Sequence, residues 1–301
     1  CCRVQDSAPH LQGAGVDDVG RRAFDEVHHV VKGRAEIQLV AVFFDVTNVR
    51  RANAVLEAQQ RVARLTGREQ EVMQALGLTV KAGAHLTSRR GHLAGTDAER
   101  AADINAMFAD NDVKAIICLR GGSGAARLLP LLDYALIKAK PKILLGYSDI
   151  TALHSAIQAK TGLVTFHGPN GTGSWNSFNA DQFQRLFFDR ELMQYQNVLD
   201  AKDELVPRQN RTITINGGKV QGELIGGNLT VLTALAGSPY LPDFSGKILF
   251  LEDVEEAPYR IDRMLSTLKL MGALDKIAGF IFGECTACRP SGGYGWLTMD
   301  Q

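Results

Sequence analysis

Residues 142–160, KILLGYSDITALHSAIQAK, carry the strongest structural signal in the chain. The apolar residues at the start of this stretch predict a short buried strand. Farther on, Ile150, Leu153 and Ile157 recur at the spacing that places side chains on one face of a helix, and Gly162 stands where helices commonly end. The stretch therefore predicts a strand that turns abruptly into a helix.

Ser148 lies in this turn and is the candidate nucleophile. A serine on a sharp strand-to-helix turn projects its hydroxyl away from the backbone. The N–H of the next residue, Asp149, points the same way at a helix N-terminus, where developing negative charge is stabilised. The alternative is an ordinary N-cap pair, because serine and aspartate are both common before a helix. Ile150 also stands where a Gly-x-Ser-x-Gly elbow has its second glycine.

Length and charge limit the classes of function. The 301 residues are enough for about two domains. Lys plus Arg and Asp plus Glu number 33 each, so no excess of positive charge favours nucleic acid or an anionic membrane. No apolar run reaches the roughly 18 residues of a membrane span. We therefore expect a soluble protein without a nucleic-acid or membrane partner, although the start at Cys1 leaves a preceding targeting segment open.

The five cysteines are an odd number and too few for a disulfide scaffold in a chain of this size, which favours a reducing compartment. Cys285 and Cys288 have the spacing of a C-x-x-C motif. Zinc would need two more ligands nearby, and a catalytic dithiol would normally open a helix, whereas a Pro-Gly-rich stretch follows at 289–293. We interpret the pair as two incidental thiols and expect neither a metal nor a cofactor.

Apolar strands alternate with helices from residue 69 to residue 170. Thr96 and Glu99 form a capping-box pattern before one helix, and an apolar strand at 115–119 precedes the glycine-rich turn 120–124. Such alternation is typical of a mainly parallel sheet that is flanked by helices. We therefore assign residues 69–170 to an α/β domain that carries the candidate nucleophile.

The glycine-rich turn contains Gly121 and Gly122. Ligands of parallel α/β sheets bind where the strands end, and the predicted order of elements places both glycines and Ser148 at that edge. A phosphate cradle is the alternative, but the Lys-Ser/Thr that completes a P-loop does not follow the turn. The turn and the candidate nucleophile are therefore expected to form one site.

Three other segments complete the chain. Residues 1–68 lack clear periodicity and form an atypical N-terminal part of the first domain, and residues 171–210 are a polar connecting segment. Residues 211–301 predict a smaller, mixed α/β domain, which we expect to be truncated. In it, Asn216-Gly217-Gly218 predicts a hairpin of 212–215 with 220–224. The further elements are a helix after Gly226-Gly227-Asn228, strands at 247–251 and 277–282, and a helix at 261–271.

Six blocks of sequence together resemble the LD-carboxypeptidases, a family of serine peptidases that includes the microcin-immunity peptidases. In order and spacing they extend over about residues 69–301 and are jointly specific. The blocks are AGTDAER at 94–100, RGGSGAARLLP at 120–130, GYSDITALH at 146–154, FHGP at 166–169, GGNL at 226–229 and LEDVEEAPYRIDRML at 251–265.

The resemblance implies an N-terminal α/β domain and a smaller C-terminal domain with the active site between them. It implies a serine carboxypeptidase that cleaves the bond between an L-configured centre and a terminal D-amino acid of murein tetrapeptides, in cytoplasmic peptidoglycan recycling. The partner would be a small peptide substrate, and a homodimer stays open. Two alternatives remain: a microcin-immunity-type peptidase that acts on aminoacyl or peptidyl nucleotides, and an inactive ligand-binding fragment.

The resemblance also implies roles for individual residues. Ser148 becomes the nucleophile and Glu252 the acidic member of a Ser-Glu-His triad, and the oxyanion donors are the backbone N–H groups of Gly122 and Asp149. Glu252 could instead pair with the nearby Arg260 or Arg263. The other candidates are Gly121 beside the oxyanion site, Asn228 as a substrate contact or a helix cap, and His167 at the cleft; His154 is expected to be a packed histidine.

The triad histidine of the family lies in a Gly-His segment beyond its Gly-Tyr-Gly region. Here Gly293-Tyr294-Gly295 is followed closely by Gln301, and all seven histidines precede Glu252. We therefore expect the triad histidine to lie beyond Gln301 and the 301-residue chain to be inactive on tetrapeptide. His167 is the alternative base.

Overall fold

The computed structural model describes residues 71–195, 212–290 and Met299. The chain forms two compact units. Within the described residues, the N-terminal unit comprises 71–190 and 230–243, and the C-terminal unit comprises 191–195, 212–229, 244–290 and Met299. No described helix is long and apolar enough to cross a membrane. The assignments made for residues 1–68 and for Gly293-Tyr294-Gly295 lie outside the described residues.

The N-terminal unit contains a parallel sheet of three strands in the order β1-β2-β3. Ile116 of β1 pairs with Leu144 of β2, and Gly146 of β2 pairs with His167 of β3. The elements in chain order are α1 (Asp97–Ala109), β1 (Ala115–Ile117), a 3₁₀ helix (Ala125–Leu131), α2 (Tyr134–Ala139), β2 (Ile143–Gly146), a 3₁₀ turn (Ser148–Ile150), α3 (Thr151–Thr161), β3 (Phe166–His167) and α4 (Ser177–Phe187).

Local signals place two of these helices where the sequence predicts them. The Thr96 hydroxyl accepts a hydrogen bond from the N–H of Glu99 at 3.2 Å, and the Glu99 carboxylate accepts one from the N–H of Thr96 at 2.7 Å. This reciprocal capping box starts α1, as predicted. Gly162 ends α3 in the left-handed conformation at φ 75°.

The core of the N-terminal unit surrounds its sheet. Every residue of β1 and β2 is buried, which a parallel sheet covered on both faces requires. Leu153 and Ile157 of α3 are fully buried with the strands. Burial of each such side chain stabilises the fold by about 1.5–3 kcal/mol. All residues from Thr151 to Ile157 are buried, so the first two turns of α3 lie within the core directly after the turn that follows β2.

The C-terminal unit contains a second parallel sheet, in the order β4-β5-β6. Its elements are β4 (Leu224–Asn228), β5 (Ile248–Val254), α6 (Pro258–Leu270) and β6 (Gly279–Thr286). Helix α5 (Leu229–Ala234) follows β4 directly and continues from Thr230 as part of the N-terminal unit. The described chain is thus α/β in both units, as predicted.

The predicted hairpin around Asn216-Gly217-Gly218 is wrong. Residues 212–223 form no strand, and β4 starts only at Leu224 and pairs with β5 in parallel. Ile213 and Ile215 are 65% and 88% exposed, so the alternating apolar side chains that suggested a strand are not buried. A turn signal without a face to bury does not form a stable hairpin by itself.

Candidate active site

Ser148 lies on a strained turn between β2 and α3. Tyr147 is extended, with φ −145° and ψ −179°, and Ser148 then takes a φ of 66°. A side chain other than glycine at positive φ costs on the order of 1–3 kcal/mol, so its surroundings must hold it there. The Ser148 side chain is partly exposed. The predicted abrupt turn is therefore present, and it projects a hydroxyl at the carboxyl edge of the sheet.

The glycine-rich turn after β1 lies against this serine. A Cβ atom on Gly121 would stand 2.8 Å from the Ser148 Cβ and 3.0 Å from its Oγ, so only glycine fits. Gly122 is exposed at φ 121°, and its N–H has no acceptor among the residues that the structure describes. The sequence-predicted neighbours Gly121, Gly122 and Ser148 are therefore brought together.

Asp149 contributes a buried carboxylate to the same place. Its Oδ2 accepts a hydrogen bond from the N–H of Ala125 at 2.8 Å, and the backbone of Gly124 also hydrogen-bonds to it. Burial raises the pKa of Asp149 above its ordinary value, while these backbone donors and the charge of Arg100 oppose the rise. The sequence indicated only the backbone of this residue as functional. Its side chain also hydrogen-bonds across to the glycine turn 120–125, and so connects that turn to the turn 147–149, called the elbow below.

Arg100 is a buried cation that contacts the glycine turn and whose charge acts on Asp149. It is 2% exposed, donates from Nη2 to the carbonyl of Gly124 at 3.2 Å and from Nη1 to Asp97 at 3.1 Å. Arg127 binds the same Asp97 carboxylate, with Nη2 at 2.7 Å. Burial lowers the pKa of Arg100 to about 10, so the guanidinium stays charged at neutral pH.

Asn170, which the sequence analysis did not identify, hydrogen-bonds to the backbone of Tyr147, directly before Ser148. It is 3% exposed, and its Oδ1 accepts from the N–H of Tyr147 at 3.2 Å. Its own carbonyl accepts from the Trp175 indole at 3.0 Å and from the N–H of Gly173 at 2.9 Å. Its position directly after the FHGP block was the only signal that could have identified it.

His154 is a buried residue of α3 that hydrogen-bonds to the end of β2. It is 7% exposed, and its Nε2–H donates to the carbonyl of Gly146 at 2.9 Å. Burial lowers the pKa of His154 to about 4, so the ring is neutral at pH 7. Its Nδ1 is buried and has no hydrogen-bond partner among the described residues. The prediction of a packed histidine agrees with this position.

His167 lies at the end of β3, beside the end of β2 that leads to the candidate nucleophile. It pairs with Gly146 across β2 and β3, and its side chain is exposed. Its ring centroid lies 6.1 Å from that of Tyr147, edge to face, and 6.4 Å from that of His154. His167 is therefore at the same sheet edge as Ser148.

The C-terminal unit has its own polar cluster, at Asn228, Glu252 and Asp253. Asn228 ends β4 and pairs with Glu252 of β5. Its Nδ2 donates to Asp253 Oδ1 at 3.1 Å, and both of these residues are at least 96% buried. Burial, together with the neighbouring Asp253, raises the pKa of Glu252 to about 7, although a hydrogen bond from Asn228 opposes the rise.

The alternative partners of Glu252 are engaged elsewhere. Arg260 donates to Glu256 at 3.4 Å and to the Tyr259 hydroxyl at 3.2 Å, and the Arg263 guanidinium lies 5.8 Å from the centre of the Tyr259 ring. Neither arginine therefore neutralises the Glu252 carboxylate in the described structure.

Among the described residues, no group of three His, Cys, Asp or Glu side chains is arranged to hold a metal ion. Cys285 lies in β6 and Cys288 is buried just beyond it. Burial and the neighbouring Cys288 raise the pKa of Cys285 to about 12, so its thiol is protonated at neutral pH and is a poor nucleophile.

Comparisons with known proteins agree with this architecture. A family model described as the LD-carboxypeptidase N-terminal domain matches residues 52–168, and one described as the LD-carboxypeptidase C-terminal domain matches residues 221–300. The chain is 43% identical over 234 residues to a probable murein peptide carboxypeptidase of Bacillus subtilis, covering 76% of this chain and 70% of that protein. It is 37% identical over 225 residues to the murein tetrapeptide carboxypeptidase of Pseudomonas aeruginosa, covering 72% and 70%.

A solved structure shows the same fold with a ligand. The microcin C7 self-immunity protein MccF in complex with aspartyl sulfamoyl adenosine matches with a TM-score of 0.70 and 28% identity, over 86% of this chain and 81% of that chain. The Escherichia coli protein of that name is 34% identical over 235 residues, covering 71% of this chain and 68% of its own length. Sequence, domain models and fold agree, and the chain belongs to the LD-carboxypeptidase family of serine peptidases.

Proposed function

We propose that Ser148 is the nucleophile of an acyl-enzyme reaction that releases the terminal D-amino acid of murein tetrapeptides. The observation that carries the proposal is the strained φ of 66° at Ser148, held directly against Gly121. Strain of this kind persists only where the surroundings enforce it, and it clusters at functional sites. Attack by the Ser148 Oγ on the scissile carbonyl expels the D-amino acid, and water then hydrolyses the ester.

The backbone N–H groups of Gly122 and Asp149 are the proposed oxyanion donors. The Gly122 N–H has no acceptor among the described residues, and the Asp149 N–H lies at the start of a helical turn, where N–H groups lack intrahelical acceptors. Such donors stabilise the charge that develops on the carbonyl oxygen, and each is worth about 10²–10³ in kcat.

Glu252 is the proposed acidic member of the triad, which orients and stabilises an imidazolium. Its raised pKa supports this role, since a buried carboxyl that is costly to ionise gains from a cationic partner. The resemblance assigns the base to a histidine C-terminal to Gly293-Tyr294-Gly295. His167 is the alternative base because it lies at the same sheet edge as Ser148.

The substrate class is inferred from the relatives. Two of them are named as carboxypeptidases of murein peptides, which favours a murein tetrapeptide. A place in cytoplasmic recycling of the cell wall is proposed from the family resemblance alone. The match to MccF with aspartyl sulfamoyl adenosine favours a second candidate, an aminoacyl or peptidyl nucleotide. Both substrates present an acyl group to the same nucleophile, so the chemistry at Ser148 is common to the two.

The test compares Ser148→Ala with the unsubstituted protein on both substrates, each on a chain that includes the Gly-His segment of the family, so that the base implied by the resemblance is present. Release of D-alanine from the tetrapeptide and of the amino acid from an aminoacyl sulfamoyl nucleotide is measured by mass spectrometry. We expect Ser148→Ala to lower kcat on the true substrate by about 10⁴–10⁶. A variant with a tenth of wild-type activity would exclude Ser148 as the nucleophile. The substrate with the higher kcat/KM decides between the two candidates.

A second variant tests the base. His167→Ala should retain activity within about tenfold if the base is the histidine that the family places farther along the chain. A loss as large as that of Ser148→Ala would assign the base to His167. Thermal melts of both variants serve as the control for folding.

A further inference from the structure

The two proposed oxyanion donors, the N–H groups of Gly122 and Asp149, come from different segments of the chain. Some contact between those segments must hold the two N–H groups at a fixed distance. The N–H of Cys118 donates to the carbonyl of Leu145 at 2.9 Å, which continues the ladder between β1 and β2 by one step. Beyond it the chain enters the glycine turn on one side and the elbow on the other. Backbone pairing therefore does not by itself set the distance between the N–H of Gly122 and that of Asp149.

The glycine turn has little stiffness of its own. Gly122 and Gly124 take φ values of 121° and 104°, in a region that L-residues avoid. Three of the four residues from Gly121 to Gly124 are glycines, and glycine loses more conformational freedom on folding than any other residue. A turn of this composition holds one conformation only if other groups restrain it at both ends.

At its near end the turn is restrained by contact, since Gly121 packs against the Ser148 side chain. At its far end the restraint is the Asp149 carboxylate, which accepts the N–H of Ala125 at 2.8 Å across 24 residues of sequence. Arg100 reinforces this end, because it donates to the Gly124 carbonyl at 3.2 Å while its charge lies near Asp149.

We propose that the side chain of Asp149 is a positioning group for the oxyanion site. By holding Gly124 and Ala125 against the elbow, the carboxylate fixes the Gly122 N–H relative to the N–H of Asp149 itself. One residue then supplies an oxyanion donor from its backbone and positions the other donor with its side chain. This inference rests on the proposed role of Ser148 in acyl transfer.

The position of the two donors matters most when the carbonyl oxygen becomes an oxyanion. Loss of the Asp149 carboxylate should therefore lower kcat and leave KM nearly unchanged, because ground-state contacts do not depend on it. It should also weaken binding of a peptidyl phosphonate that mimics the tetrahedral intermediate, while an uncleaved peptide analogue binds as before. A general loss of packing would not produce this split.

The experiment uses Asp149→Asn and Asp149→Ala in the full protein. The amide of asparagine can still accept from Ala125 but no longer offers a second acceptor oxygen to Gly124. We expect a fall in kcat of about 10–10² for Asp149→Asn and about 10²–10³ for Asp149→Ala, with KM within about threefold. The inhibition constant of the phosphonate should rise by the factor by which kcat falls.

Asp103→Asn is the matched control. Asp103 and Asp149 are both 5% exposed, and Asp103 also accepts a backbone N–H, that of His85 at 2.9 Å. Its partner lies at residue 85 and not in the elbow. Asp103→Asn should therefore lower stability to a similar extent with kcat unchanged. An equal fall in kcat for both variants would attribute the Asp149 effect to general destabilisation and overturn the inference.

A measurement on the wild-type protein does not depend on whether the variants fold. The amide hydrogen of Ala125 should exchange slowly because the buried carboxylate holds it. Exchange as fast as in an open loop would overturn the inference. If Asp149→Ala keeps wild-type kcat while Ser148→Ala is inactive, only the positioning role fails; if Ser148→Ala stays active, the proposed function itself fails.

Discussion

Each of the two parallel sheets has a glycine pair and a carboxylate near the carboxyl ends of its strands, but the carboxylates differ in their contacts. In the N-terminal unit, Gly121 and Gly122 follow β1 and Asp149 follows β2. In the C-terminal unit, the pair Gly226-Gly227 lies within β4 and Glu252 lies in β5. Each edge thus combines a glycine pair with a partly or fully buried carboxylate, but the carboxylates have different surroundings.

Asp149 is surrounded by donors, whereas Glu252 has another carboxylate beside it. Asp149 accepts from backbone N–H groups and has a buried guanidinium nearby. Glu252 lies next to Asp253, and its pKa rises to about 7. Burial raises the pKa of both carboxyls, but backbone donors and Arg100 oppose the rise at Asp149, whereas Asp253 adds to the rise at Glu252. The Asp149 carboxylate is therefore held by fixed donors in the N-terminal unit, whereas the Glu252 carboxyl in the C-terminal unit favours a proton or a cation as its partner.

The largest expected effect comes from the glycine pair of the C-terminal unit. A Cβ atom on Gly226, which has a φ of 123°, would stand 1.8 Å from the carbonyl oxygen of Phe250. Since that oxygen belongs to the neighbouring strand β5, Gly226→Ala should force β4 and β5 apart and cost more than about 4 kcal/mol. Urea denaturation followed by circular dichroism would measure the loss.

Gly218→Ala is the control in the same unit, because a Cβ atom there would meet no atom of the described part of the chain within 4 Å. It should leave the denaturation midpoint nearly unchanged. A Gly226→Ala protein as stable as the control would mean that the close approach of β4 and β5 is not required by the fold.

The next effect concerns the glycine pair of the N-terminal unit. In Gly121→Ala the new methyl group would displace the Ser148 side chain, to which it would come within 2.8 Å. We expect a loss of about 10² in kcat, because small displacements of a reacting group are costly, and a loss in stability of about 1–3 kcal/mol. Steady-state kinetics and thermal melts on the same preparation would separate the two.

Gly91→Ala gives the matching control for that variant. Gly91 has a φ of 63°, and no described residue lies within 4 Å of the place where its Cβ atom would be, so alanine adds backbone strain without touching Ser148. Its stability should fall while kcat stays at the wild-type value. If Gly121→Ala kept full activity, the contact between the glycine turn and the nucleophile would have no catalytic role.

The sequence predicted those features of the site that depend only on residues close together in the chain. The capping box at Thr96 and the abrupt turn at Ser148 are local, and both were predicted. Arg100 and Asn170 act on the elbow from 49 and 22 residues away (149 − 100; 170 − 148) through tertiary contacts. Periodicity and spacing contain no information about such contacts, so the sequence did not identify these residues.

The failures have a physical reason as well. The hairpin signal at Asn216-Gly217-Gly218 was strong by composition, yet Ile213 and Ile215 are exposed and the neighbouring residues form no strand. Strand formation depends on a surface to pack against, which a turn motif does not report. The raised pKa of Glu252 arises from burial beside Asp253, and the degree of burial was likewise not encoded in any local pattern.

A smaller effect tests the C-terminal carboxylate. Because the pKa of Glu252 in the folded protein is about 7, above its ordinary 4.5, the folded state loses stability as pH rises from about 4.5 through 7. Glu252→Gln should therefore stabilise the protein above pH 8, by about 1–2 kcal/mol after allowance for solvent screening, and have no effect below pH 4. Denaturation midpoints at pH 4, 6 and 8 would measure this.

A loss of stability in Glu252→Gln, instead of a gain, would be equally informative. If a cationic imidazole pairs with Glu252 in the folded protein, the carboxylate is stabilised and Glu252→Gln destabilises the protein between pH 5 and 7. That result would show the triad partner in place without any assay of activity. A variant with unchanged stability at all three pH values would contradict the burial of this carboxyl.

The smallest effect comes from a carboxylate–imidazole pair that the N-terminal unit already contains. Asp103 accepts from His85 Nδ1 at 2.8 Å, and this hydrogen bond raises the pKa of His85 above its ordinary value. The pair therefore stabilises the fold fully below about pH 6.5 and loses its contribution as pH rises through the raised pKa of His85. His85→Gln should lower the denaturation midpoint at pH 5.5 and have less effect at pH 8.5, and an NMR titration of the ring gives the pKa directly.

The His85 titration also bears on Glu252, because in both cases a carboxylate would stabilise the charged form of an imidazole. The pKa of His85 measures how strongly a buried carboxylate in this protein stabilises an imidazolium. A His85 ring that titrates at or below pH 6.5 would mean that Asp103 orients the ring without stabilising its charge, and it would weaken the same argument for Glu252.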